Sequence, residues 1–275
     1  QNMKNIITIA TLLAAGTLSG FAASKGYNSL DESLKSNVYV AWDFSGNSGT
    51  PVAGASTWSS DNTFTVDNGK AKLSSSDGNR PWKSGIGSSF SNGDFTLSFD
   101  VYSFNANNWQ TMVSLYSKNT SSGDANSLQL FADKSGNLSL GNKVANASAF
   151  AGIDTSGNLA TGLTSGFSGQ STVTIVSDMT SSKTLKLYVD GQEKVKWDNW
   201  TAATDQALTG IQFGAAFGNT RQFPSAEIGN ITLWTKALSQ SEVGSLIVPE
   251  PSAFGLLAGL GALALVGARR RRSRK

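Results

Sequence analysis

Residues 184–197 read TLKLYVDGQEKVKW, and this stretch restricts the fold more than any other. Leu185, Leu187 and Val189 recur at every second position up to Asp190-Gly191, and Val195 and Trp197 do so beyond it. Successive strand residues point to opposite faces, so this spacing predicts two strands, each with one apolar face. A two-residue hairpin turn needs positive φ at both central positions, which an Asp-Gly pair accepts at little cost. The sequence TFTVDNGKAKL, residues 63–73, repeats the design around Asn68-Gly69 and predicts Phe64 and Val66 paired with Ala71 and Leu73. In DFTLSFDVY the residues Phe95, Leu97, Phe99 and Val101 point one way, and Thr96, Ser98, Asp100 and Tyr102 the other.

The same period of two marks strands over 37–44, 110–117, 127–133, 136–141, 171–177, 210–217 and 226–235, with turn residues between them. Many short strands and no long helical periodicity predict an all-β chain, a two-sheet antiparallel jelly-roll sandwich. Two short helices are expected at its margins. In SLDESLKS, Ser29 is the expected cap with Glu32 three residues on; in LSQSEVGSL, Ser239 and Glu242 hold the matching positions.

The two ends are of a different character. Lys4 precedes an apolar run from Ile6 to Leu18, and Gly20 and Ala22 are the small residues of a leader cleavage site. The cut is expected after Ala22, with Ala23 as the neighbouring alternative. At the other end, residues 253–268 carry no charge, and Arg269, Arg270, Arg271, Arg272, Arg274 and Lys275 follow. Sixteen helical residues make roughly 24 Å, a little short of a bilayer core, and the basic cluster would stay on the cytoplasmic side. Pro249 and Pro251 deny a helix two N–H donors, so the span should start after them.

Removing the ends changes the charge argument. The chain has 22 basic and 19 acidic residues, but Lys4 and the six tail cations account for seven of the basic ones. Residues 23–252 therefore hold 15 basic against 19 acidic residues. A basic stripe of the kind that binds nucleic acid is missing from this part, so nucleic acid is not an expected partner. The chain contains neither cysteine nor histidine. That excludes disulfide staples, a Ser-His-Asp triad, a thiolate nucleophile and zinc sites of the usual ligand types. Stability must come from a sizeable core, for which about 210 residues suffice.

The tail, Val248-Pro249-Glu250-Pro251-Ser252 followed by the short span and the basic end, resembles the PEP-CTERM sorting signal of Gram-negative surface and exopolysaccharide-associated proteins. That resemblance implies an exported protein, transiently anchored in the membrane by its C-terminal helix. Its partner would be an exosortase acting near Pro249, Glu250 and Pro251, and its destination the outer surface or extracellular matrix. The series LYVDGQEKV, IQFGAAFG and AEIGNITLWTKALSQSEVGSL, with NVYVAWDFSGNSG at the start, is similar to the laminin G-like, concanavalin A-like lectin/glucanase family. The expected organisation is a signal peptide at 1–22, a linker at 23–36, the laminin G-like domain at 37–248 and the sorting signal at 249–275. Residues 141–170 match nothing in that pattern and are expected as a loop-rich excursion.

The family holds both binders and glycosidases, and its laminarinase-like members carry Glu-x-Asp-x-Glu on one strand. No such motif occurs here. After Asn37 the domain has only Glu193, Glu227 and Glu242 as glutamates. The two carboxyl groups about 5 Å apart that retaining glycosidases need are not signalled. Non-catalytic glycan or matrix binding is the expected function. A structural component of an exopolysaccharide layer and a divergent glycoside hydrolase are the alternatives. Sugar binding by such sandwiches sets an aromatic ring against a pyranose face, with amides and carboxylates on the hydroxyls. Trp42, Trp197 and Trp234 fall in strand patterns and read as core or sheet-face residues. Trp82, Trp109 and Trp200 fall in polar loops and are the candidate platform, with Asn107, Asn108, Asp198 and Asn199 beside them. The resemblance also implies a Ca²⁺ in some members, for which Asp43, Asp198 and Glu227 are candidate oxygen donors.

Overall fold

The computed structural model describes residues 23–44, 46, 49–54, 65–74, 82–84, 90, 93–105, 111–118, 125–132, 137–143, 159–164, 170–198, 200, 210–214 and 225–248. These residues form sixteen strands. They are β1 (Ala23–Ser24), β2 (Val38–Trp42), β3 (Thr65–Asp67), β4 (Lys70–Ser74), β5 (Trp82–Ser84), β6 (Phe95–Asn105), β7 (Thr111–Lys118) and β8 (Ala125–Ala132). There follow β9 (Asn137–Lys143), β10 (Leu159–Thr164), β11 (Ser171–Asp178), β12 (Thr184–Val189), β13 (Gln192–Asp198), β14 (Gly210–Phe213), β15 (Ser225–Trp234) and β16 (Ile247–Val248). Two short helices, α1 (Glu32–Lys35) and α2 (Gln240–Ser245), lie near the ends of the described chain.

Two antiparallel sheets face each other. One has six strands in the order β10-β9-β8-β7-β14-β5; the other has eight, β13-β12-β11-β6-β15-β4-β3 with β2 also on β15. Period-two alternation builds the core between them. Leu97, Phe99 and Val101 of β6, Val173 and Ile175 of β11, and Leu185 and Leu187 of β12 meet Val113 and Leu115 of β7 and Phe213 of β14. Phe99 and Phe213 touch edge to face, with centroids 5.4 Å apart. Each such fully buried side chain contributes about 1.5–3 kcal/mol. Both expected hairpins form: Asp190 and Gly191 have φ of 52° and 74°, Asn68 and Gly69 of 51° and 72°. Val66 pairs with Ala71 as the spacing predicts, whereas Phe64 lies outside the described residues.

The expected linker at 23–36 is instead part of the packed domain. β1 pairs with β16, Ala23 opposite Val248 and Ser24 opposite Ile247. Lys25 N–H donates to the Leu246 carbonyl at 2.7 Å. Leu30 and Leu34 pack with Val176, Tyr188, Trp234, Leu238, Val243 and Leu246 into a second apolar cluster. Trp234 Nε1 donates to the Leu34 carbonyl at 3.1 Å. The segments from both ends thus form a strap over the outward face of the eight-stranded sheet. Apolar side chains spaced through a short polar segment need a surface to bury against, and the Val176–Tyr188–Trp234 face supplies it.

The cap of α1 also differs from expectation. Ser29 closes a 3₁₀ turn, and Asp31 takes the N-cap position without a side-chain hydrogen bond. In α2 the capping box forms as the sequence predicts: Ser239 accepts from Glu242 N–H, and Glu242 Oε2 accepts from Ser239 N–H at 2.8 Å. Part of the expected loop-rich 141–170 is strand, because β9 runs to Lys143 and pairs with β10. Residues 1–22 and 249–275, including Ala22, Pro249, Glu250 and Pro251, lie outside the described residues. No described helix is long and apolar enough to cross a membrane.

Candidate functional site

Strand pairing selects one row of residues across the six-stranded sheet. Trp82 of β5 is opposite Gln212 of β14, Gln212 opposite Ser114 of β7, Ser114 opposite Gln129 of β8, and Gln129 opposite Gly141 of β9. Residues directly opposed across antiparallel strands share a face. The adjacent row contains Ile211, Leu115 and Leu128, all in the core cluster. Alternation therefore places Ser114 and Gln129 on the side of the sheet away from that core, with the backbone positions of Trp82, Gln212 and Gly141 in the same row. The row thus brings together in register a tryptophan, two glutamines and a serine that lie far apart in the sequence. At its centre Ser114 and Gln129 are buried, and Thr111 Oγ1 donates to Gln129 Oε1 at 3.4 Å. The polar interruptions in MVSLYS and SLQLF are the sequence signal for the middle of this row, and the tryptophan pattern alone misses it.

The candidate platform fares unevenly. Trp82 stands in the edge strand β5, not in a loop. Trp109, Asn107, Asn108 and Asn199 lie outside the described residues. Trp200 is a core residue: it is 5% exposed, its Nε1 donates to Ser177 Oγ at 3.0 Å, and its ring packs on Trp197 at 4.8 Å. The Trp200 N–H donates to the Lys183 carbonyl at 2.7 Å, which folds the segment back over the sandwich. Trp200 is thereby removed from the surface platform. Asp198 ends β13, exposed and paired with Lys196 at 2.7 Å.

The candidate calcium donors do not gather. Asp198 and Glu227 are on β13 and β15, separated by β12, β11 and β6, hence by about 19 Å. One cation reaches only about 2.3–2.6 Å to each oxygen. Glu227 pairs with Lys70 at 3.3 Å, and Asp43 follows β2. Among the described residues no group of three acidic side chains could hold a metal ion.

Carboxylates do meet on the eight-stranded sheet. Thr172 Oγ1 donates to Asp100 Oδ1 at 2.7 Å, and Thr172 N–H donates to Asp190 Oδ1 at 2.8 Å. Burial pushes the pKa of both acids up, against the hydrogen bonds that favour ionisation. Asp100 is wholly buried. It also accepts from Ser24 N–H at 3.0 Å, Asn230 Nδ2 at 2.8 Å and Gln170 Nε2 at 3.2 Å. A register shift in β15 between Gly229 and Thr232 turns Asn230 toward it, at a φ of 43°. Tyr102 lies beside this group, its hydroxyl pushed up to about 12 by burial and by the Asp100 charge. Four donors on two oxygens leave Asp100 no face for a sugar, so this cluster is a fastening and not a retaining pair.

Two antiparallel sheets closed over one apolar core form a jelly-roll sandwich. Residues 67–244 match the concanavalin A-like lectin/glucanases superfamily, and the chain belongs to that family. Residues 248–272 match the PEP-CTERM protein-sorting motif, which marks an exported protein processed at the cell envelope. No curated protein matches the sequence.

Solved structures share the fold at low identity. The binding domain of Paraclostridial Mosquitocidal Protein 1 is 18% identical with a TM-score of 0.55, over 78% of this chain and 52% of that one. The binding domain of botulinum neurotoxin DC, solved with SialylT, is 14% identical with a TM-score of 0.54, over 77% of this chain and 50% of that one. This chain thus spans about half the length of those toxin domains. Domain 4 of AbnA, a GH43 extracellular arabinanase from Geobacillus stearothermophilus, was solved with arabinotriose. It is 16% identical with a TM-score of 0.52, and the match covers 76% of this chain and 98% of that domain.

Proposed function

We propose that this protein is an exported, non-catalytic glycan-binding domain, carried to the outer surface or matrix of a Gram-negative cell and released from its C-terminal span by an exosortase. The observation that carries the reading is the match of residues 67–244 to the concanavalin A-like lectin/glucanases superfamily, with the register row Trp82–Gln212–Ser114–Gln129–Gly141 as the first place to look for the site. Trp109, with Asn107 and Asn108, stands in sequence between β6 and β7 and remains a candidate for ligand contact. AbnA domain 4 supports the reading, because that domain, similar in fold, was solved in complex with arabinotriose. The acids argue against hydrolysis. Glu193, Glu227 and Glu242 are each tied to a lysine, Lys186, Lys70 and Lys236 respectively. Asp100 is closed off by its donors, as described above.

Immobilised extracellular polysaccharides and a glycan array, probed with the purified protein, test this directly. Retention on at least one glycan, reduced tenfold or more in Trp82→Ala or Trp109→Ala, is expected. Release of reducing ends from the same glycans is not. Uniform failure to bind would leave the matrix-structural reading in its place, and reducing-end release would establish the hydrolase.

A further inference from the structure

Asp100 is the charge that the fold accommodates least easily. It is buried, and every donor around it is neutral: the Ser24 amide, the Thr172 hydroxyl and the carboxamides of Gln170 and Asn230. Among the described residues no lysine or arginine forms an ion pair with it. The titratable groups that face it are Asp190, which shares Thr172, and Tyr102, and a negative charge on either would repel it. Lys194 acts on Asp190 instead. A buried carboxylate without a counter-charge is held at a considerable desolvation penalty.

The chain can supply that counter-charge at the place where Asp100 touches β1. Ser24 N is 3.0 Å from Asp100 Oδ1. Hydrolysis of the 22–23 bond leaves a carboxylate on the leader and an α-amine on Ala23, which takes up a proton from water. One peptide unit spans about 3.8 Å, so that nitrogen is no more than about 7 Å from the carboxylate oxygen. Hydrolysis one bond later makes the nitrogen at 3.0 Å itself the ammonium. Opposite charges at such distances attract, the more so because Asp100 is itself buried, although Ala23 is only half-buried.

We propose that the α-ammonium created by leader removal is the counter-ion of Asp100, so that the strap locks onto the eight-stranded sheet in the processed chain. The inference rests on the reading of residues 1–22 as a removed leader. It has a consequence at the other end. β1 pairs with β16, and Val248 is followed at once by Pro249, so the same lock fixes where the sorting motif leaves the domain.

The test uses the full chain, secreted through its own leader in a bacterial host and purified in detergent. Intact mass identifies the first residue. A Gly-Ser-Gly-Ser insertion directly after the cut bond keeps β1 intact and carries the ammonium away. It is expected to lower Tm by about 3–6 °C in the wild-type background, and by less than about 1 °C in Asp100→Asn. Independently of that variant, NMR titration of the ¹³C-dimethylated α-amine should give a pKa at least one unit above its ordinary value of about 7.7, returning to it after the insertion. An unchanged Tm, an equal loss in both backgrounds, or an ordinary α-amine pKa overturns the counter-ion. A product that starts at neither Ala23 nor Ser24 overturns the leader reading beneath it, and the mass separates the two failures. Should Asp100→Asn fail to fold, the α-amine titration decides.

Discussion

The two sheets differ in what meets the polar residues of their non-core rows. On the eight-stranded sheet the strap covers Thr96, Ser98, Thr174 and Trp234, and the polar members of that set are satisfied locally. Ser98 Oγ and Thr174 Oγ1 are 2.9 Å apart, and Thr96 Oγ1 donates to the Lys236 carbonyl at 2.9 Å. On the six-stranded sheet, the register row Trp82–Gln212–Ser114–Gln129–Gly141 runs across five strands, and Ser114 and Gln129 at its centre are buried as well. Polarity by itself therefore does not distinguish a face made for a ligand from one made for the protein's own ends. On the eight-stranded sheet, hydrogen bonds with an added layer close such groups, as those with Lys236 and Leu238 do at Thr96.

The comparison can be broken most severely with large-to-small changes. If the strap encloses a true second core, Trp234→Ala should cost about as much as Phe99→Ala in the first, about 3–5 kcal/mol each in denaturant unfolding. A loss below about 1 kcal/mol for Trp234→Ala would mean that the strap merely lies on the sheet. The next effect concerns Asp100. Asp100→Ala strands the Ser24 N–H, the Thr172 hydroxyl and the Asn230 amide without their acceptor, and should destabilise by about 2–4 kcal/mol. Trp82→Ala, on the other sheet, should impair binding and leave the midpoint of unfolding nearly in place.

The smallest effect depends on pH. Partial burial pushes the Glu242 carboxyl up, but hydrogen bonds from Lys236 and Ser239 together hold it below the ordinary range. A carboxyl depressed by folding contributes stability above its unfolded pKa of about 4.3 and loses it as pH falls through the folded value. The strap end at α2 should therefore loosen on acidification below about pH 4. Glu242→Gln should flatten the dependence of stability on pH in that window, as thermal melts between pH 2 and 6 would register.

Much of the sandwich is legible in the sequence, because its determinants are local. The two turns Asp190-Gly191 and Asn68-Gly69 declare themselves by residue type, and the strands beside them by alternation. The Ser239–Glu242 capping box is likewise a matter of spacing. The features that escape are those in which distant segments meet. Residues 23–36 read as a linker because β1 is only two residues long and finds its partner in Val248 and Ile247 at the far end of the chain. Trp200 reads as a surface residue because its neighbours are polar, yet its indole N–H donates to Ser177, on a strand 23 positions earlier. Trp82 reads as a loop residue because NRPWKSG lacks alternation, and three residues of edge strand carry too little pattern to show otherwise. The row to which Trp82 belongs exists only once five strands are in register.

Hydrogen–deuterium exchange of the purified protein, with and without a polysaccharide that it retains, tests the division between the two faces most directly. The account predicts added protection at residues 82–84, 111–118, 125–132 and 210–213, with β1, α2 and β16 unchanged. Protection confined to 23–35 and 238–248 would contradict it and assign the ligand to the strap.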